Sequence, residues 1–301
     1  MSERSKGFLY IILAQIGWGT VFIACKLCQD AFHNFTLVFI RYFVATILLL
    51  ILYRKAPKPV IKKKDWKFIA IVGVGGYFLS IVLQMIGVSF IDASLASIIH
   101  ALNPVMILVF AMLLLRERCS VPMIVGICIA VAGAVVIIGG AGSGSTLLGI
   151  IISAVSMMMW ALTSVVIRKT CANIDAIWLT IIATIIAMVC DIPFMIGEIA
   201  IVGINPAACT PVAIIAALWI GVVCSAGSNL WWSKGLQLLP ASTCSMSYPI
   251  MPLTTAVIGV IFLHEPLSLN LVIGGLLILA GLMLAVMAEN RKNGQKPEEK
   301  S

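Results

Sequence analysis

Charge is the scarcest thing in this sequence. Asp, Glu, Lys and Arg together make up 11% of the 301 residues, while 61% are hydrophobic. Soluble domains are about half apolar and a quarter charged, so a water-covered globule is excluded. Basic residues interleaved with aromatics on a polar face are also missing, so the net charge of +8 does not indicate nucleic acid. No GxSxG, HExxH, P-loop or doubled CxxC occurs in the chain. Without those signatures no enzyme, no ATP-driven pump, no cofactor and no metal site is expected. Long polar loops are missing too, which disfavours a receptor or a scaffold. The nine cysteines are no disulfide framework, because most sit in apolar runs, as Cys128, Cys190, Cys224 and Cys244 do. Buried cysteine behaves as a small hydrophobe. The lone Cys25-Lys26-Leu27-Cys28 has no second pair and no nearby histidine cluster, so packing near a helix end is its reading.

What the sequence does have is long apolar runs. They fall near 7–28, 35–53, 67–88, 93–115, 121–140, 146–167, 176–197, 211–233, 241–263 and 270–288. About 20 apolar residues cross the roughly 30 Å of bilayer hydrocarbon as a helix. The first run is too long for a secretory signal and no small-residue cleavage site follows it, so it counts as a span. Ten spans put both termini on one side. Lys and Arg then partition cleanly, with 18 of 20 falling on that side and only Lys26 and Arg41 lying within spans. Basic loops mark the cytoplasm. The expectation is an all-α integral membrane protein of ten transmembrane helices, multi-pass, with both termini and a polar tail (289–301) cytoplasmic.

The chain also repeats itself. Shifted by 148 residues, Gly87 to Gly133 lies on Gly235 to Gly281 without a gap, pairing Ser97 with Ser245, Pro104 with Pro252 and Glu117 with Glu265. A second register, shifted by 142, pairs Trp18 with Trp160 and Lys26 with Arg168. Each copy holds five spans, an odd number, so the second copy is inverted in the membrane. Inverted repeats recur in secondary transporters, with the substrate near the midplane where the halves meet.

Two five-span halves, opening on Trp18-Gly19 and Trp160-Ala161, with the Pro104 and Pro252 spans and Glu117 and Glu265 at span ends, resemble the EamA branch of the drug/metabolite transporter superfamily. The resemblance covers 8–139 and 148–287, a first and a second EamA-like five-helix repeat. It implies transport of a small metabolite, commonly export of amino acids or related solutes. Together with the lack of an organelle signal it implies the plasma membrane.

Helical spacing shows which polar residues share a face. Gln15, Trp18, Phe22 and Lys26 align in span one; Tyr77, Ser80 and Gln84 in span three; Ser153, Ser156, Trp160 and Ser164 in span six; Ser225, Asn229 and Trp232 in span eight. Such stripes line ordinary helix contacts or a cavity. A proline frees the carbonyl four residues earlier and kinks its helix. Pro104 therefore frees His100, with Asn103 nearby, and Pro252 frees Tyr248. The candidate substrate cavity is Gln15, Trp18, Tyr77, Gln84, His100, Asn103, Trp160, Ser164, Asn229, Trp232 and Tyr248, formed mainly by spans one, three, four, six, eight and nine. Pro104 and Pro252 are the hinges. Gly73, Gly75, Gly76, Gly274 and Gly275 are expected to let helices approach closely. Lys26 and Arg41 either snorkel to the headgroups or attract an anionic substrate group such as a carboxylate; the resemblance, in which an Arg is common at the Arg41 position, favours a structural tether. Asp191, the lone mid-span acid, pairs with a base or binds a cation.

The expected function is a secondary transporter, with export the expected direction, moving a small organic metabolite by alternating access. An uncoupled facilitator or channel, a lipid-carrier flippase and an integral-membrane enzyme are the alternatives. The expected partners are a small-molecule substrate and the lipid bilayer, not nucleic acid. Coupling to protons through His100, and a homodimer, stay open.

Overall fold

The computed structural model describes residues 2–57, 61–115, 121–138, 146–203, 205–245, 247–248, 250–262 and 269–294. Among them there is helix and no strand. Six helices are long and apolar enough to cross a membrane: α1 (Glu3–Cys28), α2 (Asn34–Leu52), α3 (Trp66–Phe90), α7 (Leu147–Thr170), α8 (Ala176–Val202) and α9 (Pro211–Leu238). Between and after them lie α4 (Ala93–Ala101), α5 (Asn103–Leu115), α6 (Val121–Ile138), α10 (Ala241–Ser245), α11 (Ile250–Phe262) and α12 (Leu269–Gly294).

Their polarity is inside out relative to a soluble protein. Leu113, Val121, Leu147, Ile201 and Leu269 are among the many large apolar side chains left exposed. Gln15, Arg41, Gln84, Asn103, Asp191 and Asn229 are buried. A soluble monomer rarely leaves so much contiguous apolar surface bare. Lipid is the solvent that suits it.

Two spans differ from their expected form. The segment 93–115 is two helices interrupted at Leu102, and the segment 241–263 is α10 and α11 with Ser247 and Tyr248 between them. A proline was expected only to kink these helices. Its missing N–H and the clash with the preceding turn, reinforced by Asn103, end the first helix outright. Asn103 closes the break by donating Nδ2–H to the His100 carbonyl at 2.9 Å. The Pro252 side chain, together with Glu117, Glu265, Ser120 and Ser268, lies outside the described residues. Helix α12 runs on to Gly294, so the expected tail from 289 begins as helix.

Parts of α3 and α9 wind as π-helix, over Ile71–Ser80 and Ile220–Gly227. Ser225 and Ser228 donate to the carbonyls five residues earlier, Ile220 at 2.8 Å and Val223 at 3.0 Å. Such wide turns recur at functional sites.

Helix α1 packs on α9 and α11, and α7 packs on α3 and α5. Helix α2 packs on α8 and α9, α8 packs on α3, and α6 packs on α12. Glycines set several of these approaches. A Cβ at Gly73 would stand 2.7 Å from Ile186, and one at Gly221 would stand 2.6 Å from Val44. Gly87 faces Ser153 and Gly235 faces Ile11, both too closely for a methyl group. Gly75 and Gly275 were expected to do the same, but neither has a neighbouring atom within 4 Å.

The start of α2 is held from another helix. His33, at its N-cap, makes no side-chain capping bond. The orphan N–H groups go instead to Glu198 of α8: Phe35 N–H at 3.0 Å and Thr36 N–H at 2.7 Å, with the Thr36 hydroxyl at 2.8 Å. A carboxylate here also meets the positive end of the helix dipole. Glu198→Ala is expected to destabilise the protein by about 2 kcal/mol through lost charge-assisted bonds and a lost cap. A thermal melt of purified protein checks this; an unchanged midpoint would remove Glu198 as the tether.

Candidate functional site

Where α1, α3, α4, α7 and the α10–α11 break converge, the side chains enclose a small cavity of about 30 Å³. Helix α1 supplies Trp18 and Val21, α2 supplies Arg41, and α3 supplies Ser80, Ile81 and Gln84. His100 and Asn103 come from either side of the α4–α5 break, Trp160 from α7, and Tyr248 and Met251 from the second break. A polar space of this size holds about one or two waters.

Its floor is a cluster of aromatic rings. Trp18 meets Trp160 edge-on at 5.3 Å between centroids and Trp232 at 5.5 Å. Tyr77 lies 5.8 Å from Trp160, and Trp232 meets Tyr248 edge-on at 5.3 Å. Each indole N–H has an acceptor: Trp18 the Cys224 carbonyl at 3.0 Å, Trp160 the Tyr248 hydroxyl at 2.8 Å, Trp232 the Ser164 hydroxyl at 3.2 Å. Edge-to-face geometry and satisfied N–H groups fix the rings in place. The Gln84 amide faces the His100 ring, its Nε2 3.5 Å from His100 Nε2. Phe22 lies against the same imidazole, 5.8 Å away.

Of the residues singled out in the sequence, Trp18, Gln84, His100, Asn103, Trp160 and Tyr248 meet at this cavity, and Pro104 is buried beside it. Tyr77, Ser164 and Trp232 stand one layer behind, against the rings that line it. Gln15 and Asn229 are buried away from the lining, and Gln15 keeps both amide atoms without a hydrogen-bond partner. Of the segments expected to form a cavity, those near 7–28, 67–88, 93–115, 146–167 and 241–263 contribute lining here; 211–233 contributes none, and 35–53 contributes Arg41.

The sequence left the roles of Lys26, Arg41 and Asp191 open, with a structural tether the favoured reading of Arg41. Arg41 does not snorkel: it is 1% exposed, and its Nε donates to Ser225 at 2.8 Å. Lys26 is half-buried near the end of α1. Asp191 is fully buried, and neither of its carboxylate oxygens has a hydrogen-bond partner. Ser80 was placed on the right stripe, and its role became visible only in three dimensions. Its hydroxyl donates to the Ser156 carbonyl at 3.0 Å and the Ser156 hydroxyl donates back to the Ser80 carbonyl at 2.8 Å, clamping α3 to α7.

A larger cavity, of about 420 Å³, lies between α1, α9 and α11 and is walled by Ile23, Leu27, Ile215, Trp219 and Ile258. Its lining is almost wholly apolar and suits a lipid chain rather than a polar metabolite.

The sequence matches the EamA-like transporter family over residues 5–139 and 147–287. The chain belongs to that family. It is a multi-pass helical membrane protein of the drug/metabolite transporter type, and its relatives are transporters, not enzymes. An uncharacterized transporter of Clostridium kluyveri is 25% identical over 97% of this chain and 96% of its own length. The uncharacterized transporter YvbV of Bacillus subtilis is 28% identical over 93% of this chain and 92% of its own. A probable terminal-alkyne amino-acid exporter of Streptantibioticus cattleyicolor is 26% identical over 94% of each. A protein solved by crystallography superimposes with a TM-score of 0.76 over 96% of this chain and 99% of its own, at 19% identity, a likeness of fold.

Proposed function

We propose that this EamA-type transporter is a secondary carrier that exports a small organic metabolite, such as an amino acid or related solute, by alternating access. The observation that carries the reading is the cavity itself. It lies at the meeting of both halves of the chain, beside two helix breaks, and at about 30 Å³ it is too small for any metabolite. A solute enters only when the helices part, which is the behaviour of a carrier more than of a channel. The exporter name borne by one relative favours an amino-acid-like solute and the outward direction.

On this reading the ten apolar segments are ten spans, in two inverted five-helix repeats at 8–139 and 148–287. Pairing of contacts supports it. Gly7 meets Leu238 and Leu239, and Gly149 meets Phe90 and Ile91; Gly73 meets Ile186, and Gly221 meets Val44. Within each of these couples, the offsets of 142 and 148 carry one contact onto the other with its partners exchanged between halves. The two π-helical stretches fall on each other under the same shift. Both termini and the polar tail would then be cytoplasmic, the membrane the plasma membrane, and Pro104 and Pro252 the hinges. His100 is the group that would couple movement to protons.

Proteoliposome uptake of labelled amino acids, nucleosides, polyamines and aromatic cations, with and without a pH gradient, tests this. Saturable uptake of one class is expected, and His100→Ala is expected to cut it about ten-fold while the protein stays folded. Uptake of nothing by folded protein would overturn the carrier reading and favour a lipid-linked substrate. Uptake unchanged in His100→Ala would remove His100 from the pathway.

A further inference from the structure

Arg41 brings a permanent positive charge to the cavity wall at 1% exposure. Its partners are neutral: the Ser225 hydroxyl at 2.8 Å from Nε, and the Tyr42 ring, whose centroid lies 5.3 Å from the guanidinium carbon. Nη1 has no hydrogen-bond partner, and among the described residues no carboxylate is ion-paired with Arg41. The lining holds this one full charge and no acid. A buried guanidinium without a counter-charge is a costly arrangement in a dry interior, and it persists only where something offsets it.

We propose that what offsets it is the substrate: the cavity takes a solute bearing a single carboxylate, which docks on Arg41. This rests on the reading of the chain as a metabolite carrier and adds the substrate's chemical class. The planar guanidinium matches a carboxylate with two parallel N–H···O bonds, one of them from the free Nη1. Trp18 and Trp160 form an apolar wall on which the body of the solute lies. Asn103 Oδ1, buried and without a partner, is the acceptor for an N–H on the same molecule. An α-amino acid with an apolar or aromatic side chain carries all three features. Polyamines and organic cations meet a like charge with no acid to receive them, so they are refused.

The test is binding by purified protein in detergent, read by tryptophan fluorescence and by the thermal midpoint. Phenylalanine, leucine and phenylacetate are compared with phenylalaninamide, leucinamide and phenylacetamide, and with putrescine. At least one of the acids is expected to bind, and its amide to bind at least about ten-fold more weakly, since only the carboxylate gains the charge-assisted fork. Arg41→Gln is expected to erase the difference between acid and amide, and Arg41→Lys to keep part of it. Should Arg41→Gln fail to fold, the acid-to-amide ratio of the unaltered protein still decides. Equal binding of acid and amide, preference for putrescine, or no response to any acid overturns the proposal. Acid binding without accumulation in proteoliposomes would uphold Arg41 as a carboxylate site and sink the carrier reading instead.

Discussion

Trp160→Ala is expected to abolish transport, and Trp160→Phe to slow it about five-fold in protein that assembles normally. Trp160 sits at the centre of the aromatic cluster: Trp18 lies edge-on to it and Tyr77 lies at 5.8 Å, both from the other half of the chain, and its N–H bonds Tyr248 within its own half. Truncation to Ala opens a hole that buried Trp and Phe deletions price at about 3–5 kcal/mol. The cavity wall collapses with it. Phe keeps most of the ring volume and deletes only the donor. A net hydrogen bond is worth about 1 kcal/mol, which is about five-fold in rate if the bond must re-form in each cycle. Tyr248→Phe removes the other end of the same bond and is expected to match Trp160→Phe in rate. Uptake normalised to monodisperse protein checks the set. Full-rate transport by Trp160→Phe would reduce this contact to packing.

How much of this site could be read from the sequence depends on which rule each residue obeys. Trp18, Trp160, Gln84 and His100 were legible because regular helix advance and the repeat put them on shared faces, and polar side chains within a bilayer turn inward. A distortion beside His100 and one beside Tyr248 were legible as proline effects, though the full interruption at Leu102 was not: Asn103 supplies the side-chain bond to the His100 carbonyl that makes a break tolerable. The face of Asn229 was misjudged for a different reason. It follows the π-helical stretch Ile220–Gly227, where each turn takes up an extra residue and the 100° advance no longer holds. The glycines Gly221 and Gly227 within that stretch were its one visible sign. The partner of Arg41 was not legible from spacing. Spacing gives the depth of Arg41 in the membrane, but its direction depends on the rotation of α2, which is set by packing on α8 and α9 and by Ser225 on the distorted turn.

The two glycine contacts at opposite ends of the bundle yield the second large effect. At one end a Cβ on Gly7 would stand 3.3 Å from the Leu238 Cβ; at the other a Cβ on Gly149 would stand 2.7 Å from the Phe90 Cβ. Disulfides span Cβ atoms about 3.5–4.5 Å apart, so a small outward shift accommodates either bridge. In this structure the helices touch at both of these contacts, and the cavity has room only for about one or two waters. Alternating access requires each end to open in turn. The double variant Gly7→Cys/Leu238→Cys, once oxidised, is therefore expected to bring uptake down to that of protein-free liposomes. Gly149→Cys/Phe90→Cys is expected to do the same from the other side, and a reductant to restore both. Recovery on reduction separates a lock from misfolding, and the single-cysteine variants control for native thiols such as the exposed Cys128. Blockade by only one bridge would place the moving gate at that end alone and leave the other a fixed wall. Undiminished transport with both bridges closed would mean that solute passes without these helices separating, and the path would have to be sought along the lipid-facing groove between α1, α9 and α11.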